Sequence, residues 1–103
     1  IAVAHGEGRV VATDAQLAHL NAAQQVSLRY VDSLGNPTQH YPLNPNGSPE
    51  AITGLTSLDG RATIIMPHPE RTFRAVQHSW KPEDWQDDGA WMRLFRNGRR
   101  FIG

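Results

Sequence analysis

The chain has 103 residues, which suits a single domain, and its ten Lys and Arg residues are balanced by ten Asp and Glu residues. This neutral balance disfavours a nucleic acid or an anionic membrane surface as the main partner. No run approaches the roughly 18 apolar residues of a membrane span and no signal-peptide pattern opens the chain, so a cytoplasmic location is the default. The absence of cysteine excludes a disulfide framework and a thiolate metal site.

The first third of the chain predicts two strands, a helix and a third strand. The segment Ile1–Ala4 has the composition of a buried strand without a polar lead-in, which favours a chain cut from a longer protein, and it runs into the glycine-rich loop His5–Arg9. A second short strand is predicted at Arg9–Ala12, followed by a helix capped by Asp14 and ending near Asn21. Alternation then predicts a strand over Val26–Val31, with the side chains of Val26, Leu28 and Tyr30 on one face.

The middle of the chain predicts turns and strands. A turn is expected at Leu34–Pro37, with a returning strand at Thr38–Tyr41. The segment Asn44–Pro49 consists almost entirely of turn-forming residues and predicts a loop of defined shape. The dipeptide Asp59-Gly60 predicts a hairpin, with Ala51–Leu58 and Arg61–Met66 as its two arms.

The last third predicts a short helix or turn over Arg71–His78 and an amphipathic helix over Ala90–Arg100, with Trp91, Leu94 and Phe95 on its apolar face. We interpret the tail, with its tryptophans and acidic residues, as a surface that docks on other domains. The sequence as a whole predicts a mixed α and β fold. Three histidines are assigned to solvent or to packing: His19, His40 and His78. Of these, His78 is expected to pack beside Trp80.

The segment Ile64–Thr72, IIMPHPERT, carries the strongest chemical signal. A residue that precedes proline favours extended backbone, so the pattern predicts an extended segment in which His68 and Glu70 lie on one side, with Cα atoms roughly 6.5 Å apart. A carboxylate at that distance can orient an imidazole ring and leave its other nitrogen to act as a base. The alternatives are a surface hydrogen bond, or a metal site for which the spacing signals no third ligand.

Several motifs in the same order support a family resemblance. The segment Met66–Arg71 resembles the part of class I glutamine amidotransferases that carries the histidine and glutamate of a Cys-His-Glu triad. Together with His5–Arg9 and Asn44–Ser48, it is similar to the glutaminase domain of the phosphoribosylformylglycinamidine synthase family. The tail segments His78–Trp85 and Trp91–Arg96 resemble the C-terminus of the large, single-chain form of that family.

The resemblance implies a flavodoxin-like, mostly parallel α/β sheet. Residues 1–103 would supply its C-terminal portion, including a β-hairpin and a C-terminal helix, while the half that bears the nucleophile would be absent. It also implies that glutamine is hydrolysed at a cysteine through a thioester. Ammonia then passes to a synthetase domain that requires ATP and magnesium, for purine biosynthesis. No cofactor is expected in residues 1–103 themselves.

Carried over by position, His68 is the general base and Glu70 orients it. The chain contains no cysteine, so we expect it to be inactive alone, and Ser48 is a poorly supported substitute nucleophile. Glycine-rich segments allow a close approach to a ligand. The candidate residues of the glutamine pocket are His5, Gly6, Glu7, Gly8, Arg9 and Asn46, for which a tight turn with a Glu7–Arg9 pair and a purely structural loop are the alternatives.

Two further functional hypotheses stay open. One is the glutaminase subunit of the split, multi-chain form, which the long tail disfavours; the other is a binding or regulatory module without a nucleophile. The expected partners are glutamine and the remaining domains of the same polypeptide. Because half of a sheet domain exposes strand edges and apolar faces, we also expect the isolated chain to be unstable or to self-associate.

Overall fold

The computed structural model describes residues 8–103, which divide into two units, residues 8–67 and residues 68–103. The predicted strand Ile1–Ala4 and the predicted loop residues His5, Gly6 and Glu7 lie outside the described residues.

A three-stranded antiparallel sheet forms the centre of the first unit. Its strands are β1 (Val26–Arg29), β2 (Ile52–Thr56) and β3 (Thr63–Ile65), in the order β1-β2-β3. The β2–β3 register is regular, whereas the register between β1 and β2 is interrupted by shifts. A mixed α and β fold is confirmed, but every strand pairing within residues 8–103 is antiparallel, so the expected parallel sheet is not confirmed.

The β2–β3 hairpin is confirmed at the predicted position. Gly60 has φ +70°, a left-handed value that favours glycine, and its N–H donates to the Ser57 carbonyl. The Asp59 carboxylate accepts from the Ser57 hydroxyl at 2.6 Å and from the Arg61 N–H at 3.1 Å. These contacts lower the pKa of Asp59, the Ser57 hydroxyl most of all. The turn therefore forms from the chemistry that the dipeptide predicted.

The predicted first helix is confirmed as α1 (Asp14–Ala22), although its N-cap is Thr13 rather than Asp14. The Thr13 hydroxyl accepts from the Gln16 N–H, and the Gln16 side chain accepts from the Thr13 N–H. This reciprocal pair is a capping box, which satisfies two backbone donors at the start of the helix. No residue of α1 is buried.

Two predicted strands are wrong. Residues 9–12 have no regular secondary structure, and the Val10 N–H donates to the Ser48 side chain instead of a strand. Residues 38–41 do not form a strand either. The isolated bridge between Val31 and Pro37 is followed by local hydrogen bonds, including one from the Asn44 N–H to the His40 carbonyl. The local sequence pattern predicted extended backbone at both places, but the backbone N–H and C=O groups there find hydrogen-bond partners outside a sheet.

The loop Asn44–Pro49 is confirmed, and its shape depends on the side chain of Asn44, which is 2% exposed. Its Nδ2 donates to the carbonyls of Thr38, at 3.0 Å, and Ser48, at 3.1 Å. Its Oδ1 accepts from the Gly47 N–H at 3.0 Å. The buried side chain of Asn44 therefore connects the two ends of the loop to each other and to Thr38 in the segment before it.

Replacing Asn44 by alanine is expected to destabilise this unit by about 2–3 kcal/mol, because the backbone groups of Thr38, Gly47 and Ser48 lose the hydrogen bonds of its side chain. The free energy of unfolding from urea titration measures the effect. Asn36→Ala, at an exposed turn position, is the matched control and is expected to change it by less than about 0.5 kcal/mol. Equal effects at the two positions would contradict the role given to Asn44.

Strained backbone links this loop to β2. Glu50 and Ala51 have φ values of +51° and +58°, unusual for residues other than glycine. Arg29 donates to the Glu50 carbonyl at 2.6 Å and to the Asn21 side chain, which in turn donates to the Glu50 carboxylate. Through these hydrogen bonds, side chains of β1 and α1 hold the strained backbone in place.

The second unit contains two 3₁₀ turns, Pro69–Arg71 and Ala75–Gln77, and the helix α2 (Met92–Ile102). The predicted final helix is confirmed, shifted by two residues, and the predicted short helix or turn over Arg71–His78 is present as the second 3₁₀ turn. The ring of His78 packs edge-on against Trp85, with centroids 5.3 Å apart, whereas Trp80 is 78% exposed. The prediction that His78 packs is confirmed, but its neighbour is Trp85 and not Trp80. His19 and His40 are exposed, as expected.

Candidate active site

His68 and Glu70 form the predicted pair: the distance between His68 Nδ1 and Glu70 Oε1 is 2.8 Å. The backbone that makes the pair differs from the prediction. His68 is extended, with φ −102° and ψ 92°, but Pro69 begins a 3₁₀ turn that the Arg71 N–H closes onto the His68 carbonyl. A proline φ near −65° fits the first position of a helical turn as well as it fits an extended chain. The pair is therefore built across a turn.

The geometry assigns a role to each nitrogen of the His68 ring. A carboxylate only accepts hydrogen bonds, so the proton of a neutral ring lies on Nδ1 and is donated to Glu70. Within residues 8–103, Nε2 has no hydrogen-bond partner, and the His68 side chain is 39% exposed. The ring is thus oriented with its basic nitrogen available to a third group.

The hydrogen bond from His68 lowers the pKa of Glu70 below its usual 4.5, with smaller contributions from the Glu70 backbone N–H and from the charges of His68 and Arg71. Because the pKa of Glu70 is lower in the folded state, the pair stabilises the turn fully above the unfolded value. That contribution is lost as the pH falls through the lowered value.

We expect a carboxyl titration followed by NMR to give Glu70 a midpoint below 4.5. In the variant His68→Ala, the midpoint should move upward, because the group that stabilises the carboxylate has been removed. Asp59 in the hairpin turn is the internal control, because its pKa is lowered by contacts with Ser57 and Arg61 and not by His68. A Glu70 midpoint unchanged by the substitution would mean that the two side chains do not interact in solution.

The predicted pocket residues of the first unit are brought together in part. The Asn46 side chain donates to the Gly8 carbonyl at 2.7 Å, and the Val10 N–H donates to the Ser48 hydroxyl at 3.3 Å. The end of the glycine-rich segment is therefore attached to the Asn44–Pro49 loop. Arg9 is exposed beside these contacts, whereas Asn46 is half-buried and acts through its hydrogen bonds.

Arg9 also lines a mostly apolar cleft of about 310 Å³ against one side of the β2–β3 hairpin. Thr53, which the sequence did not single out, lies in its wall. Thr53 is 4% exposed, and its hydroxyl has no hydrogen-bond partner within the described chain. A threonine in a strand carries no signal that distinguishes such a position, so only the fold reveals it.

Ser48 is not an accessible nucleophile. Its side chain is completely buried and its hydroxyl accepts a backbone hydrogen bond from Val10. A nucleophile must reach its substrate, so this position fits a structural role.

Among residues 8–103, no group of three or more His, Cys, Asp or Glu side chains is arranged to hold a metal ion. In the same residues, no helix has the length and apolar character needed to cross a bilayer.

A hydrogen-bonded His-Glu pair with a free imidazole nitrogen has the geometry that a general base and its orienting carboxylate require. The family model of the CobB/CobQ-like glutamine amidotransferase domain matches residues 1–102. The chain is therefore a glutamine amidotransferase domain. It belongs to the CobB/CobQ-like family, a family of glutamine-hydrolysing enzymes.

Proposed function

We propose that this chain is the part of a glutaminase domain that supplies the histidine and glutamate of a Cys-His-Glu triad, in an enzyme of the phosphoribosylformylglycinamidine synthase type. The observation that carries the proposal is the 2.8 Å hydrogen bond between His68 Nδ1 and Glu70, which leaves Nε2 free. Membership of the glutamine amidotransferase family supports glutamine as the substrate. The tail sequence, from His78 to Arg96, supports the large, single-chain form of the synthase.

In the proposed reaction, His68 Nε2 takes the proton of a cysteine thiol that another part of the protein provides. The thiolate attacks the side-chain amide carbon of glutamine, the C–N bond breaks, and the leaving nitrogen takes the proton from His68 as ammonia. A water molecule, deprotonated by the same nitrogen, then attacks the thioester. The sulfur leaves with the proton, and glutamate is released. Glu70 stabilises the protonated ring in both halves of the reaction.

We propose a second group of residues as the wall of the glutamine pocket: His5, Gly6, Glu7, Gly8, Arg9 and Asn46. The hydrogen bond from Asn46 to the Gly8 carbonyl supports this grouping, because it fixes the backbone next to Arg9. The guanidinium of Arg9 has the charge that would attract the α-carboxylate of glutamine.

ATP and magnesium belong to the proposed synthetase reaction, and the described residues do not fit magnesium. Magnesium prefers clustered carboxylate oxygens, and residues 8–103 hold no such cluster. Within the proposal, both are bound by another domain of the enzyme, which consumes the ammonia.

A nucleophile-free binding or regulatory module of the same fold is the second candidate, and the absence of cysteine from the 103 residues favours it. The glutaminase subunit of the split form is a further variant of the first proposal. The two main candidates differ in whether the native protein contains a reactive cysteine.

The experiment that separates them labels the native protein from its source with an electrophilic glutamine analogue and maps the modified peptide. We expect the label on a cysteine outside residues 1–103, and we expect it to be lost in the variant His68→Ala. The variant His40→Ala, which changes an exposed histidine, should label normally. Absence of label in the native protein would reject the glutaminase and favour the module.

We also propose that the isolated chain self-associates. Ile64 on β3 is 69% exposed and Val11 is 84% exposed, so large apolar side chains on the first unit are uncovered. Among the described strands, β3 is an edge of the sheet, and exposed apolar edges pair with other chains.

A further inference from the structure

Two consecutive side chains bind the backbone that leads out of the 3₁₀ turn of the candidate pair. The turn that carries Glu70 ends at Arg71, which Thr72 follows. Gln77 Nε2 donates to the Arg71 carbonyl at 2.8 Å, and His78 Nε2 lies 3.1 Å from the Thr72 carbonyl oxygen. Because a carbonyl only accepts hydrogen bonds, the proton in the second contact belongs to His78 Nε2. Two successive carbonyls are therefore bound from the end of the second 3₁₀ turn.

The ring of His78 is packed on two further sides. It meets Trp85 edge-on, with the ring centroids 5.3 Å apart and the ring planes at 83°. On another side it lies against Gly89, where a Cβ atom would come within 2.8 Å of His78 Nε2. A side chain at position 89 would therefore push the ring away from the Thr72 carbonyl. This packing holds the imidazole N–H in the direction of that carbonyl.

The segment that supplies the two donors is itself held by hydrogen bonds. Gln77 Oε1 accepts from the Arg74 N–H at 2.9 Å, so the same amide group binds the backbone at both of its ends. Ala75 is 1% exposed, and its N–H donates to the Asp87 carbonyl at 2.8 Å. Arg74 also forms an isolated antiparallel bridge with Asp88. The turn of the candidate pair is thus attached to backbone that has fixed partners of its own.

We propose that Gln77 and His78 are positioning residues for the glutaminase step and that they act through Glu70. The proposal rests on the proposed function of the His68–Glu70 pair. Within residues 8–103, neither side chain forms a hydrogen bond to that pair. Each instead holds a carbonyl just beyond Glu70, and so sets where the turn presents the carboxylate to the His68 ring. A misplacement of about 1 Å in such a group can cost a large factor in rate.

Steady-state kinetics of the intact enzyme, with glutamine or an ammonium salt as the nitrogen source, tests the proposal. Gln77→Glu keeps an acceptor for the Arg74 N–H but removes the donor to the Arg71 carbonyl. His78→Ala removes the donor to the Thr72 carbonyl, and His78→Gln supplies an amide N–H in its place.

We expect Gln77→Glu and His78→Ala each to lower kcat with glutamine about tenfold and to change KM less than about twofold. The conservative variant His78→Gln should recover most of the lost kcat. Activity with the ammonium salt should be unchanged in all three variants, which shows that they fold. Val76→Ala is the matched control, because that side chain is 81% exposed in the same 3₁₀ turn, and it should change neither activity.

A double-mutant cycle with Glu70→Gln distinguishes positioning from stability. Residues that act through one group have effects that do not add. We therefore expect Gln77→Glu and His78→Ala each to cost less than about threefold further in kcat once Glu70→Gln is present. A residue that only stabilises the unit would cost the same factor in either background.

The remaining outcomes overturn the proposal. An unchanged kcat with glutamine in Gln77→Glu or His78→Ala would reject the role of that residue, and so would a loss that adds in full to the loss caused by Glu70→Gln. A raised KM at constant kcat would place the residue in glutamine binding instead. Loss of activity with ammonium in every variant, His78→Gln included, would assign a role in stability alone.

The variant His68→Ala keeps the two proposals apart. If it loses glutamine-dependent activity while Gln77→Glu and His78→Ala do not, the positioning role fails and the proposed function stands. If His68→Ala itself retains glutamine-dependent activity, the proposed function fails and the positioning role fails with it.

Discussion

Replacing His68 by alanine in the intact enzyme is expected to reduce glutamine-dependent activity by about 100-fold or more, because positioned general-base catalysis contributes about 10²–10⁴-fold. Activity with ammonium salts in place of glutamine should be retained, since the proposed synthetase reaction takes ammonia without the triad. The measurement compares the two activities in the same preparation. Loss of both would show that the substitution damages the protein rather than the glutaminase step.

The variant Glu70→Gln refines the same prediction. Glutamine at position 70 keeps an oxygen within reach of His68 Nδ1 but removes the negative charge that stabilises the protonated ring. We therefore expect a smaller loss of glutamine-dependent activity than for His68→Ala, accompanied by a change in its pH profile. His40→Ala, which alters an exposed histidine in the other unit, should change neither activity. An unchanged pH profile in Glu70→Gln would contradict the orienting role.

The candidate pair was predictable from the sequence, but its backbone was not. Spacing and side-chain chemistry were sufficient to predict that His68 and Glu70 pair, whereas their roles as base and orienter stay a prediction. The two prolines restrict φ without fixing ψ, so the extended chain and the 3₁₀ turn were both compatible with the sequence. The turn was selected by its hydrogen bond from the Arg71 N–H to the His68 carbonyl.

The restriction of sequence patterns to local information also explains which strands were predicted correctly. The β2–β3 hairpin depends on Asp59-Gly60, whose local chemistry also fixes the pairing of the two arms. The segments 9–12 and 38–41 look extended locally, but a strand needs a partner for its backbone, and local sequence does not specify one. The burial of Thr53 depends on tertiary contacts and gave no signal in the sequence, whereas the hydrogen bonds of Asn44 are local and belong to the predicted loop.

Gly54 at the centre of β2 is expected to be the most sensitive glycine in the sheet. A Cβ atom at this position would lie 2.9 Å from Ser27 Oγ, 3.0 Å from Leu28 Cβ and 3.1 Å from Ile65 Cγ2. These neighbours belong to the strands on both sides, so a methyl group can be accommodated only if the sheet spreads. We expect Gly54→Ala to destabilise the unit by about 1–3 kcal/mol, as overpacking of a buried site does.

Gly98→Ala is the matched substitution, because nothing lies within 4 Å of the corresponding Cβ position in α2. Alanine there should stabilise the helix by about 1 kcal/mol, since glycine is a poor helix former. Hydrogen–deuterium exchange of the intact protein measures both effects. Gly54→Ala should lower the protection of β1 and β2 amides roughly 5- to 150-fold, and Gly98→Ala should raise that of α2. If Gly54→Ala left the sheet amides unchanged, the close approach of β1 and β3 to this residue would not exist in solution.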